Sequence, residues 1–221
     1  MIVRLALEEL DADYETILVD RSVTAHKSKA YLRLNPNGLI PVLETPDGPI
    51  FETAAILLWL TDRYRNLGPV SGAPERTQFL KWLFFLSNTV HPALRMQFYP
   101  WAYVGADEAA QKALCQKTAQ NLLKYFGVIN DVAAGADSVV GGQTPNCLDL
   151  YIAPALRWLR LYPALAENKE MFVLNQWPHL FDMCQRLENR QSVSALCCKE
   201  GMSPEPFTQP QPPNPPEGSV L

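Results

Sequence analysis

Two short junctions carry the clearest chemistry in this sequence. In Ile40-Pro41-Val42-Leu43 a proline falls inside a short apolar, β-branched run, where it cannot donate a ladder hydrogen bond. Such a proline belongs at an edge, at a bulge or in a cis turn. With a cis Ile40–Pro41 bond the N–H and C=O of Ile40 face outward, and an extended peptide can pair with them as an added strand. Further along, Glu52 and Thr53 stand where a strand ends and a helix begins. Free N–H groups and the helix dipole favour a bound carboxylate at such a point, and Glu52 can receive an ammonium. A peptide cradle beside an amino-acid clamp predicts a small peptide ligand with a free α-amino-acid end. The plainer readings are an edge-strand proline and an ordinary first helical turn; the spacing of the two junctions favours the ligand.

The elements that must position these residues are local. Asn35-Pro36-Asn37-Gly38 is dense turn punctuation, and Pro46-Asp47-Gly48-Pro49 reverses the chain between the strand at 40–45 and the return at Ile50-Phe51. From Thr53 the apolar residues Ile56, Leu57, Leu60 and Tyr64 recur at helical spacing. Upstream, Ile2, Leu5, Ala6 and Leu10 predict a helix over 1–10, residues 14–19 read as a strand, and 22–34 as a polar loop with a short helix. The Gly/Pro/Ser-rich stretch 66–74 is the best boundary. Beyond it Phe79, Trp82, Leu86, Val90, Leu94 and Trp101 form one stripe of a long helix bent near Pro92. A second helix buries Cys115, Ala119, Leu122, Phe126, Ile129 and Ala133, which together predict an antiparallel bundle. Asn146 and Asp149 form a variant capping box, a folding feature rather than a catalytic one. From Ser203 proline dominates, and that segment is expected to be disordered or loosely extended.

Composition narrows the class. The chain has 221 residues and a formal net charge of -4, with a pI near 5.4. That balance, without a run of basic residues, argues against a nucleic-acid surface. No apolar run is long enough to span a bilayer, and no signal region opens the chain. The five cysteines show neither paired spacing nor metal-ligand spacing, so reduced thiols in a cytoplasm and no metal are expected.

The motif Asn35-Pro36-x-Gly38-x-Ile40-Pro41-Val42-Leu43, followed by Glu52-Thr53-Ala54-Ala55-Ile56, closely resembles the glutathione-binding half of cytosolic glutathione transferases of bacterial type. The likeness extends through His26-Lys27-Ser28 upstream and through the helical part downstream. It implies an α/β plus all-α architecture. A thioredoxin-like glutathione-binding domain would cover 1–65, a linker 66–74, an all-helical substrate and dimer domain 75–200, and the Pro-rich tail 201–221. Glutathione would be the co-substrate, held by Ile40, Pro41, Glu52 and Thr53, with His26 and Lys27 near its glycine end. A cationic Lys27 suits that carboxylate. Leu39 departs from the pattern, since those relatives often carry a polar side chain there. The resemblance implies a homodimer and a small-molecule electrophile.

His91 admits two readings: a helix-bend histidine satisfied by a backbone carbonyl, or one wall of the electrophile pocket with Arg95, Phe98, Tyr99 and Tyr103. The family activates the glutathione thiol with a Tyr, Ser or Cys donor at the end of the first strand or the start of the first helix. Residues 1–4, Met-Ile-Val-Arg, offer none, so the catalytic residue and the first strand are expected upstream of Met1. Either the start lies too late by about one strand and its loop, or the chain is a degenerate relative; the intact glutathione motif favours the first. The expected function is conjugation of the glutathione thiolate to an apolar electrophile. The alternatives are a non-catalytic binding or regulatory protein and a glutathione-dependent reductase or isomerase.

Overall fold

A two-stranded hairpin is the whole sheet among the described residues, and helices do the rest of the folding. The computed structural model describes residues 1–136 and 138–215. The first helix, α1, spans Ile2–Glu9 and buries Ile2, Leu5, Ala6 and Leu7. A 3-10 turn at Ala25–Lys27 leads into α2, Lys29–Leu34, whose first turn is capped by the Ser28 hydroxyl accepting from the Tyr31 N–H at 3.1 Å. Strands β1, Val42–Thr45, and β2, Gly48–Phe51, pair antiparallel. Gly48, with φ +115, supplies the turn conformation that few other residues adopt. Helix α3 follows at once over Thr53–Tyr64.

The strand expected at 14–19 does not form. A strand needs a partner for its backbone groups; among the described residues this segment has none, and Ile17 is 72% exposed. The expected boundary at 66–74 is irregular but anchored, because Leu67 is buried and its carbonyl accepts the Cys147 N–H at 2.9 Å.

The long helix after the boundary has three parts. Helix α4, Arg76–Phe85, runs through a π-helical segment at Leu86–Val90 into α5, His91–Phe98. The cause is Pro92, which cannot donate and whose ring crowds the preceding turn; an extra residue in the turn relieves this. Phe79, Leu83, Leu86, Val90 and Leu94 form the buried stripe. Trp101 was expected on it but is 54% exposed, because the helix ends at Phe98 and Trp101 starts a separate short helix, α6, Trp101–Val104.

Helix α7, Glu108–Ala133, is capped by the Asp107 carboxylate, which accepts from the Ala109 and Ala110 N–H groups. It packs against α5. Helix α8, Cys147–Leu161, is buried on almost every side. The polypeptide continues through α9, Ala166–Lys169, to α10, Pro178–Glu188, and α11, Gln191–Glu200. Helix α11 closes back on α1, where Arg190 and Ser192 both bond the Glu9 carboxylate.

At the start of α8, Asn146 accepts from the Leu148 N–H at 2.8 Å, and the Asp149 carboxylate returns to the Asn146 N–H at 3.0 Å. Asp149 also accepts the Gly141 N–H at 2.7 Å, so one buried carboxylate fixes the loop ahead of the helix. Its burial pushes the carboxyl up to about 6, opposed by those two donors and by Arg186.

The tail is the second correction. Residues 201–215 are ordered against the helices, and their anchor is Phe207, 1% exposed. The fully buried Arg157 of α8 donates to the Pro206 carbonyl at 3.0 Å and the Gln211 carbonyl at 2.8 Å. Glu188 accepts the Phe207 and Thr208 N–H groups. Proline lacks a donor but keeps its carbonyl, and a buried guanidinium seeks acceptors. The expected disorder of 216–221 falls outside the described residues.

Replacing Asp149 by Ala strands two buried N–H groups and is expected to lower unfolding stability by about 2–3 kcal/mol in urea titrations. Phe207→Ala is expected to remove about 3–4 kcal/mol by cavity formation; a disordered tail would give no change in the same measurement.

Candidate functional site

The hairpin brings the two junctions together. Its register pairs Val42 with Phe51, and one step beyond that pair stand Pro41 and Glu52. The Ile40–Pro41 bond is cis. Ile40 is 46% exposed, and among the described residues neither its N–H nor its C=O is hydrogen-bonded. A segment of outward-facing, unpaired backbone therefore lies beside the start of α3.

The loop before it is held from within. The Leu39 carbonyl accepts from the Tyr31 hydroxyl at 2.8 Å and from Asn35 Nδ2 at 2.7 Å, while Asn35 Oδ1 accepts the Asn37 N–H at 3.0 Å. Gly38 has φ +60, and a Cβ there would fall 2.8 Å from the His26 carbonyl, so only glycine lets the two loops meet. That contact sets His26 and Lys27 along the same loop. Among the described residues His26 Nδ1 is closed off from solvent without a partner, and Lys27 Nζ lies 3.4 Å from the Asn37 carbonyl.

Glu52 is exposed and has φ +69 with no capping bond from its side chain. A residue with a Cβ is strained there, and strain of this kind collects at ligand sites. Its carbonyl accepts from Ile56 at 3.0 Å, while Thr53 begins α3 half-buried. The carboxylate stays free at a helix N-terminus, whose dipole suits an anion beside it. The pair can therefore meet a zwitterionic amino-acid end.

His91 begins α5, and its own N–H donates to the Leu86 carbonyl five residues back. Its side chain is not satisfied by a backbone carbonyl: Nδ1 lies 2.7 Å from the Tyr151 hydroxyl on α8. The ring meets Tyr151 edge-on at 5.7 Å and Trp158 at 6.1 Å. Burial lowers the imidazole pKa to about 4, with the Arg95 guanidinium pushing the same way, so His91 is neutral at pH 7. Burial also raises the Tyr151 phenol well above its usual range, and the Glu52 carboxylate adds to that rise. The helical pair therefore lies within electrostatic reach of the hairpin end.

One turn further, Arg95 stacks over the Tyr99 ring at 5.8 Å. Phe98 meets Tyr99 and Tyr162, and Tyr99 meets Trp101 at 5.5 Å. Tyr103 stays exposed on α6. Thus Arg95, Phe98 and Tyr99 form one aromatic cluster, and His91 belongs to a neighbouring clamp with Tyr151 and Trp158. Sequence reasoning missed both α8 residues. Their seven-residue spacing places them on one helix face, but only the fold reveals the partner sixty positions away. Among the described residues no cluster of His, Cys, Asp and Glu could hold a metal ion, and no helix is long and apolar enough to cross a membrane.

Residues 1–62 match the family model described as "Glutathione S-transferase, N-terminal domain". A glutathione S-transferase of Xanthomonas campestris, GST-4.5, is 29% identical over 66% of this chain and 70% of its own length. Glutathione S-transferase 1 of Schizosaccharomyces pombe is 41% identical over 62% of each chain, so less than two thirds of that relative is spanned. Among solved structures, the glutathione transferase URE2P6 of Phanerochaete chrysosporium, determined with oxidized glutathione, superposes with a TM-score of 0.74 at 23% identity, covering 88% of both chains. The fold is therefore that of the transferases, with a thioredoxin-like part reduced here to a small two-stranded sheet and a mostly helical remainder. The N-terminal domain sequence, the curated relatives and this fold together support a protein of the glutathione S-transferase family.

Proposed function

We propose that this protein binds glutathione at the hairpin end and transfers its thiolate to an apolar electrophile. The observation that carries the reading is the meeting of the unpaired Ile40 backbone with the strained, uncapped Glu52 at the start of α3. The tripeptide would lie extended along Ile40 and Pro41. Its γ-glutamyl ammonium would meet Glu52, the adjacent carboxylate would meet the N–H groups from Thr53 onward, and the glycine carboxylate would approach Lys27 and His26. The electrophile would rest against His91, Arg95, Phe98 and Tyr99. Attack forms a carbon–sulfur bond and expels the leaving group with its electron pair. Holding both reactants in line supplies much of the acceleration.

A cytoplasmic homodimer accompanies this reading. All five cysteines are free thiols, as a reducing compartment requires. Phe84, 52% exposed on α4, offers apolar surface to a second copy.

A second reading takes the same unpaired Ile40 backbone and strained Glu52 as a glutathione-binding site without turnover.

Titration calorimetry with glutathione on the wild type and on Glu52→Ala tests the common core of both readings. Saturable binding is expected, weakened about tenfold or more in the variant, as loss of a charge-assisted contact implies. A folded wild type that binds no glutathione would overturn both. Binding with turnover of an aryl halide selects the transferase; binding without turnover selects the second reading.

A further inference from the structure

One oxygen on the inner side of the cradle takes two side-chain donors. The Leu39 carbonyl accepts from the Tyr31 hydroxyl at 2.8 Å and from Asn35 Nδ2 at 2.7 Å. Tyr31 lies in the last turn of α2 and Asn35 is its C-cap, four residues on. Both are buried, at 8% and 3% exposure. The orientation of the Asn35 amide is fixed by its other bond. Its Oδ1 accepts the Asn37 N–H at 3.0 Å, so a reversed amide would set donor against donor and acceptor against acceptor. The main chain of Asn35 is engaged as well: its N–H donates to the Tyr31 carbonyl at 3.0 Å, and its carbonyl accepts the Gly38 N–H at 2.9 Å. Every polar group of Asn35 is thus in use.

The Leu39–Ile40 peptide is trans and planar, so its C=O and N–H point in opposite directions. With the oxygen drawn inward by two donors, the Ile40 N–H is turned outward. It sits on a residue 46% exposed and has no internal partner among the described residues. Rotating this peptide plane would break both buried bonds at once and strand a carbonyl inside, so the N–H keeps its direction without a partner of its own. Donors on a carbonyl also draw electron density from the amide nitrogen of the same unit, which makes its N–H the stronger donor. A phenylalanine at position 31 would serve packing alone. The buried hydroxyl has this one oxygen as its partner among the described residues.

We propose that Tyr31 and Asn35 are positioning residues, which clamp the Leu39 carbonyl so that the Ile40 N–H is aimed and strengthened before any peptide arrives. The inference rests on the peptide-binding reading above and deepens it. It makes the cradle rigid in the empty protein, and it assigns that rigidity to two side chains that never touch the ligand.

Nitrogen-15 relaxation of the ligand-free full chain reads the Ile40 N–H directly. The wild type is expected to show the order parameter of rigid backbone, about 0.85, and Tyr31→Phe a value of about 0.6 or lower. A wild-type Ile40 N–H that is already mobile overturns the proposal without any variant needing to fold. In parallel, glutathione is titrated into wild type and Tyr31→Phe, and the urea midpoints of both are measured. The variant is expected to bind about fivefold to tenfold more weakly, as the loss of one hydrogen bond behind the cradle implies. A merely structural role would lower the urea midpoint alone. In a folded variant, an unchanged order parameter or an unchanged affinity therefore overturns the proposal and leaves the peptide site intact. A wild type with a rigid Ile40 N–H that binds no glutathione removes the peptide site itself, and the ligand role of Ile40 with it.

Discussion

Burial of one helix on almost every side is the constraint from which the rest of this structure follows. A helix in that position hides most of its side chains from water, so its buried polar groups turn to other parts of the chain for partners. On α8 the three that matter recruit three different segments. Asp149 ties down the loop that leads into the helix, Tyr151 reaches the histidine at the start of α5, and Arg157 gathers the carbonyls of the C-terminal stretch. Leucines at those positions would have given a core without these connections. The polar residues specify which loop, which helix and which tail lie against it.

The candidate site uses the opposite arrangement. At the hairpin end, among the described residues, the backbone of Ile40 is unpaired and Glu52 is held in a conformation that its side chain disfavours, with no capping bond from that side chain. Asp149, Tyr151 and Arg157 of α8 each bond another segment, and such partners are withheld here. That contrast between a closed interior and an open cradle is what the proposed glutathione site rests on.

What could be read in the sequence was local. Pro41, Gly38 and the Pro46–Pro49 reversal act through their own backbone preferences, and Thr53 begins its helix where the periodicity changes from two to three or four. The capping pair Asn146 and Asp149 was legible for the same reason, since its members are one turn apart. The misreadings were non-local. Residues 14–19 have strand composition, but pairing depends on a neighbour that composition cannot supply. The segment after 200 reads as disordered because proline is poor core material, yet a single Phe207 and two backbone carbonyls are enough to hold it when a buried guanidinium waits on another helix. The His91–Tyr151 pair was invisible for want of any local signal.

The position of Arg157 also bears on how the protein is made. Its two acceptors lie 49 and 54 residues later in the chain. While the polypeptide emerges from the ribosome, the central helix therefore carries an unmatched cation until the stretch at 206–211 is clear of the exit tunnel. Desolvating it before then would be strongly unfavourable. Full burial of α8 around Arg157 therefore has to wait for a stretch made 49 to 54 residues later.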